Sequence, residues 1–179
     1  RVKTVDFHPH EPLLLTALYN GSVDIWNYET QKLVNSFKVC DLPVRIATFV
    51  ARKNWIITGS DDKFIRIYNY KTLDLIHEFE AHADFIRNIL ATNNPCKVLP
   101  VSIIQIKLWD WDNDWKLTQT FEGHTHYVMN IAINPKDNTK FASASLDKTI
   151  KVREIPSQMW TIGSESPKFT LEGHNNAVS

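Results

Sequence analysis

Short runs in which apolar and polar residues alternate recur along the whole chain, parted by clusters of turn residues. The stretch from 44 to 79 shows the unit best. Val44 to Phe49 predicts one strand and Asn54 to Gly59 the next, with Trp55, Ile56 and Ile57 expected between packed sheets. Asp61-Asp62-Lys63 predicts a turn, Phe64 to Tyr68 alternates apolar and polar positions, and Lys71-Thr72-Leu73 turns again before a strand from Leu75 to Phe79. Four short strands joined by tight turns read as an antiparallel meander. His8-Pro9 and Asn134-Pro135 mark equivalent loops elsewhere, because proline cannot donate a ladder hydrogen bond.

The unit repeats about every 42 residues. Phe79-Glu80-Ala81-His82 returns as Phe121-Glu122-Gly123-His124 and as Leu171-Glu172-Gly173-His174. Between these marks the chain passes through Val23-Asp24-Ile25-Trp26-Asn27, Ile65-Arg66-Ile67-Tyr68-Asn69, Ile106-Lys107-Leu108-Trp109-Asp110 and Ile150-Lys151-Val152-Arg153. Gly-His early and Trp-Asp late, at a period of about 40–45 residues, are the marks of a WD-repeat β-propeller. The expected fold is therefore all-β, with four repeats at roughly 1–38, 39–80, 81–122 and 123–172 and the start of a fifth at 173–179. Each repeat is one blade that must stack on its neighbours to bury its faces. A chain running from Arg1 to Ser179 on this plan reads as a piece of a larger propeller.

WD blades are braced by a His, a Ser or Thr, an Asp and a Trp whose polar atoms satisfy one another. The second repeat supplies Ser60 and Asp62, with Cys40 and Tyr68 in place of His and Trp. The third has His82 and Trp109, but Val101 and Ile103 where Ser and Asp belong. The fourth has His124, Ser145 and Asp147, with Arg153 in place of Trp. The periodicity of these His and Asp residues marks them as braces, not catalysts. Two segments break the pattern. Residues 92–104 lack the Ser-Asp-Asp turn and place Pro100 in an inner strand, and 153–166 stretch the step from His124 to His174 to about 50 residues. Both read equally as tolerated loops or as scars of a misread frame.

Charge sharpens the picture. The chain carries 20 basic and 20 acidic residues, a balance that argues against a general nucleic-acid or membrane-surface binder and makes any electrostatic function local. Lys3, Arg45 and Arg87 stand about 42 residues apart, with Met129 the fourth equivalent and Arg1 two residues before Lys3. At the start of the innermost strands they converge on one rim. Such a cluster suits a carboxylate or a phosphate, unless each cation pairs with a neighbouring acid such as Asp6 or Asp84. Cys40 and Cys96 lie in different repeats without metal-like spacing and read as reduced, small core residues of a cytosolic protein. Asp110 to Asp114 lacks the Gly and the final Glu of a calcium loop, and His124-Thr125-His126 lacks a third ligand, so no metal or other cofactor is expected. No phosphate loop or nucleophile elbow is present, and no catalytic residue is assigned.

Several strings go beyond the general repeat: Arg1-Val2-Lys3, Phe7-His8-Pro9, Leu18-Tyr19-Asn20-Gly21-Ser22, Trp26-Asn27-Tyr28-Glu29-Thr30, Ala51-Arg52-Lys53-Asn54-Trp55, Phe121 to Met129 and Phe141 to Asp147. They closely resemble the coatomer beta-prime subunit family. The resemblance implies the first half of that family's N-terminal seven-bladed propeller, about four blades of an expected seven. It also implies a role in the cytosolic coat of vesicles that carry proteins from the Golgi to the endoplasmic reticulum and within the Golgi. In that family the propeller binds cargo tails ending in a dilysine motif, beside other coatomer subunits, and meets the membrane only through coat and cargo.

By the same resemblance, Arg1 and Lys3 match the pair that holds the terminal carboxylate, and Asp84 one of the acids that hold lysine. Tyr19, Arg45 and Arg87 match positions on the same rim. The second lysine-binding acid is missing, since this chain has Ser102-Ile103 there. The contrasting expectations are a WD-repeat scaffold or ubiquitin-type adaptor without dilysine binding, or a nonfunctional truncated product.

Overall fold

The computed structural model describes residues 1–93, 96–102, 104–155 and 167–178. Among the described residues, sixteen strands form four antiparallel sheets of four. The first sheet runs β1 (Val2–Phe7), β2 (Leu13–Leu18), β3 (Ser22–Asn27), β4 (Lys32–Lys38), and the second β5 (Val44–Val50), β6 (Trp55–Ser60), β7 (Phe64–Asn69), β8 (Leu75–Glu80). The third holds β9 (Asn88–Asn93), β10 (Cys96–Val101), β11 (Ile106–Asp110) and β12 (Lys116–Phe121). The fourth holds β13 (Val128–Asn134), β14 (Asp137–Ser145), β15 (Ile150–Glu154) and β16 (Phe169–Leu171). Within every sheet the strands follow one another in chain order, the meander that the alternating runs predict. The fold is all-β and consists of WD-repeat propeller blades. Among the described residues no helix is long and apolar enough to cross a membrane.

The same local chemistry closes equivalent turns. After the second strand of a sheet the chain reverses through a left-handed residue, Gly21 (φ 85°), Lys63 (φ 76°) or Lys148 (φ 71°). Each donates its backbone N–H three residues back, to Leu18, Ser60 and Ser145 respectively. After the third strand, Asn27 and Asn69 stand where a WD repeat has Asp. Their Oδ1 atoms accept the N–H groups of Glu29 and Thr30, and of Lys71 and Thr72. Asp110 caps the equivalent turn by accepting from Asp112. A short acceptor side chain at that position turns the backbone by itself, which explains why the repeat ends its third strand in Asp or Asn.

The chain divides into two compact units, Arg1–Ile89 and Leu90–Ser179. The first is built on Leu15, Ala17, Val23 and Ile25 of one sheet packed against Val44, Ala47, Ile56, Tyr68 and Tyr70 of the next. Polar bonds seal this joint. Thr4 Oγ1 accepts from the Ala47 N–H at 3.3 Å, and Asp6 accepts from the Thr48 hydroxyl and the Phe49 N–H, both at 2.8 Å. Tyr70 reaches across to His8 (3.0 Å) and donates to Glu11 (2.9 Å). Burial and the Glu11 hydrogen bond push the Tyr70 phenol up to about 12. The second unit packs Leu99, Val101, Ile106, Leu108 and Phe121 against Val128, Ile131, Phe141 and Ile155. Phe121 and Phe141 meet edge to face at 5.1 Å.

The structure bears on three local expectations. Trp55 is half-buried, its ring under the Lys53 ammonium at 5.4 Å, while Ile56 and Ile57 are fully buried as expected. Pro100 lies inside β10, and the register carries past it from Val98↔Trp109 to Val101↔Ile106. Cys40 is a free, half-buried thiol that packs on the margin of the first core and donates to the Leu42 carbonyl at 3.1 Å. Of the long fourth repeat, 156–166 lie outside the described residues, and β16 still closes the sheet with Ile150↔Leu171.

Candidate functional site

The repeat position shared by Lys3, Arg45 and Met129 has a structural signature absent from any alternation pattern. In β1 the register slips between Val2 and Thr4, in β5 between Val44 and Ile46, and in β13 between Val128 and Asn130. Each time the skipped residue is the one the periodicity singles out. A bulge leaves its extra residue out of the ladder and re-aims the side chain, so these residues leave the sheet face for its edge. Arg87 precedes β9 directly instead of standing within it, a one-residue difference from expectation.

All six proposed binding residues belong to the first unit. The Tyr19 N–H donates to the Arg1 carbonyl at 2.8 Å, tying exposed Tyr19 to the first cation. The loop carrying Asp84 and Arg87 is hung on the second sheet by the Ile86 N–H, which donates to the Ser60 carbonyl at 3.3 Å. Gly59 permits that approach. A Cβ there would lie 2.6 Å from Ile86 Cγ2 and 2.8 Å from Ile89 Cδ1. Phe85, in the same loop, lies against the Arg45 guanidinium at 5.6 Å. Half-buried Asp84 accepts the Phe85 N–H at 2.6 Å.

The electrostatics single out Lys3. Burial pushes its pKa down, and the charges of Arg1, Arg45 and Arg87 push it further, with Asp61 alone acting the other way. The Lys3 ammonium has neither hydrogen bond nor ion pair among the described residues, although the residue is half-buried. Arg45 is compensated, though not by Asp6 or Asp84. Its Nε donates to Asp61 Oδ1, and its Nη2 to Oδ2 at 2.7 Å. Asp61, read from the sequence only as a turn residue, is the acid that sequence reasoning missed. It stands about 42 residues after Tyr19, so the periodicity already placed it at a rim position. Ile103, the next equivalent, lies outside the described residues.

The braces form a separate set. In the second sheet the Ser60 hydroxyl donates to Asp62 at 2.5 Å, and Arg66 bridges Asp62 (2.7 Å) and Glu78 (3.1 Å). In the fourth, His124 meets Asp147 through Nδ1 (2.7 Å) and Ser143 through Nε2 (2.9 Å). Ser143, and not Ser145, is thus the hydroxyl partner of His124. Ser145 instead donates to the His126 carbonyl and accepts the Asp147 N–H. Arg153 does not break this network but joins it through its two terminal nitrogens, its buried Nε finding no acceptor among the described residues. Fully buried, it donates Nη1 to Ser143 Oγ at 2.7 Å and Nη2 to the Glu122 carbonyl at 2.9 Å. His82 is buried in the first unit and Trp109 half-buried in the second. Asp110 is held by Lys97 and caps its own turn, so the apparent calcium loop is a hairpin tip. Among the described residues, no group of three or more His, Cys, Asp or Glu is placed to hold a metal ion.

Meander sheets with this His–Ser–Asp bracing define a WD-repeat protein, and the chain belongs to that family. Residues 1–27, 31–69 and 115–153 match the family described as WD domain, G-beta repeat. Over its whole length the chain is also similar to coatomer subunit beta' of Homo sapiens and Rattus norvegicus, each 59% identical across 180 residues and 19% covered. A putative coatomer subunit beta'-3 of Oryza sativa subsp. japonica is 53% identical over the same length, again with 19% covered. The resemblance read from the sequence is borne out. The chain spans about a fifth of the length of these relatives.

Proposed function

We propose that this chain forms part of a cargo-recognition propeller of the coatomer beta-prime kind, non-catalytic, acting on the cytosolic face of Golgi membranes beside other coatomer subunits. Its ligand is the C-terminal tail of a membrane protein ending in a dilysine motif. Arg1 and Lys3 hold the terminal carboxylate, Asp84 one lysine ammonium, and Tyr19, Arg45 and Arg87 shape the rim. The observation that carries this reading is Lys3: a half-buried ammonium without a partner among the described residues, its pKa lowered by burial and by the charges of Arg1, Arg45 and Arg87. Like charges gathered in this way favour an anion, and a carboxylate accepts from several donors at once.

A hydrogen bond to a charged group contributes about 1.5–3 kcal/mol. Lys3→Ala therefore weakens binding of a Lys-Lys-x-x peptide by roughly ten- to a hundredfold. Amidating the peptide's C-terminus costs a similar factor, because only the free carboxylate engages the cluster. Fluorescence anisotropy with labelled peptides measures both. Equal affinity for the free and amidated peptides refutes the reading and leaves a WD-repeat scaffold without dilysine binding.

A further inference from the structure

Which cation is committed within the protein, and which is left for a ligand, follows from the geometry around Asp61. Two of Arg45's three guanidinium nitrogens are taken by Asp61, while Nη1 has no hydrogen bond among the described residues. Asp61 is itself fixed. It is 7% exposed, its backbone N–H donates to the Pro43 carbonyl at 3.0 Å, and it follows the end of β6 directly. On its other side Arg45 lies against Phe85. A side chain gripped by a carboxylate fork and an aromatic ring has lost its rotamer freedom before any ligand arrives, and pre-organised donors bind without that ordering cost.

We propose that Asp61 is a positioning residue for carboxylate recognition: acting through Arg45, it fixes the guanidinium so that Nη1 is presented to the ligand beside Lys3. The inference rests on the cargo reading given above and adds the device that organises its carboxylate half. It also makes a prediction of unusual sign. Asp61 is an acid beside an anion site, so simple charge addition says that its removal tightens carboxylate binding. Positioning says the opposite. In Asp61→Asn one fork oxygen becomes an amide that donates where a donor already stands, the guanidinium is freed, and binding weakens.

The experiment measures peptide affinity for wild type, Asp61→Asn, Arg45→Ala and the double variant. The peptides end in Lys-Lys-x-x or Ala-Ala-x-x, each free and amidated. Asp61→Asn is expected to weaken the free-carboxylate Lys-Lys-x-x and Ala-Ala-x-x peptides alike by about tenfold, and to have no further effect in the Arg45→Ala background. Tighter binding in Asp61→Asn overturns the proposal. So does a loss confined to the Lys-Lys peptide, which would make Asp61 a lysine ligand instead. A ligand-free measurement separates this proposal from its parent. The Arg45 Nε–H resonance should exchange slowly in wild type and be lost in Asp61→Asn, while thermal melts confirm that the variant folds. A fast-exchanging wild-type signal overturns the clamp whatever the peptides do. Wild type that fails to distinguish free from amidated peptide overturns the cargo reading, even with the clamp in place.

Discussion

Arg153 is the residue whose removal tests the packing argument most severely. It stands where a WD blade carries Trp, it is 1% exposed, and burial lowers its pKa to about 10 from an ordinary 12.5. At about 1.4 kcal/mol per pKa unit, holding it charged costs on the order of 3 kcal/mol. Against that stand two hydrogen bonds from a charged donor, to Ser143 Oγ and to the Glu122 carbonyl. At about 1.5–3 kcal/mol each they offset most of the burial cost, while the buried Nε–H is left without an acceptor among the described residues. Truncation removes both bonds, strands the Glu122 carbonyl and leaves a cavity, and cavities in this size range cost about 2–5 kcal/mol. Arg153→Ala should therefore lose about 2–4 kcal/mol, measured by urea denaturation of the full chain with tryptophan fluorescence. Arg153→Lys should do no better, because a single ammonium cannot span both acceptors in the fork geometry. Wild-type stability in Arg153→Ala refutes the reasoning. Rescue by Lys shows that charge, and not the fork, is what the blade requires.

Other expected outcomes are equally specific. Gly59→Ala drives a methyl against Ile86 and Ile89, costs about 1–3 kcal/mol and, by shifting the 84–87 loop, weakens peptide binding as well as lowering the urea midpoint. His8 and His124 are both held below their ordinary pKa of 6.5, chiefly by burial. The unfolded chain therefore binds protons first. Their stabilisation is whole above pH 6.5 and is lost as pH falls through the folded values, so the urea midpoint should drop between pH 7 and 5. Tyr70 runs the other way. Its contribution is whole below pH 10 and lost as pH rises through about 12, and difference absorbance should show one tyrosine titrating near that value.

Periodicity made the strands, their order and the cation row legible, because each follows from residue type at fixed spacing. The turns at Asp61-Asp62-Lys63 and Lys71-Thr72-Leu73 were legible for the same reason, whereas the structure alone shows that Asn27, Asn69 and Asp110 each bend the chain with their own side chain. What escaped was anything decided by a partner distant in sequence. Arg153 read only as a replacement for Trp because its pattern position asks for an indole, and only the folded blade shows a hydroxyl and a carbonyl spaced for a guanidinium. Ser143 and Ser145 cannot be told apart by spacing from Asp147. Two residues apart, they share one face of β14 and are both buried, and only their partners, the His124 ring for Ser143 and the His126 carbonyl for Ser145, distinguish them. Asp61 escaped because turn composition explained it sufficiently.

The bulges explain how a sheet that needs its inner face for packing can still present charge. In regular alternation, position 45 would fall on one face of β5 and would put a guanidinium either into the joint with the first sheet or against the next element. Slipping the register between Val44 and Ile46 keeps Val44 and Ala47 buried in that joint while turning Arg45 out to Asp61. The same slip at Lys3 keeps Thr4 and Asp6 on the seam, where they bond Ala47, Thr48 and Phe49. The rim charge and the seam are therefore set by one backbone device, and a deletion that removes a bulge residue should damage both. Deleting Lys3 is accordingly expected to lower stability by breaking the Thr4 and Asp6 bonds, whereas Lys3→Ala keeps the bulge and should leave the urea midpoint near wild type. Equal midpoints for the deletion and the substitution would show that the bulge does not hold the seam.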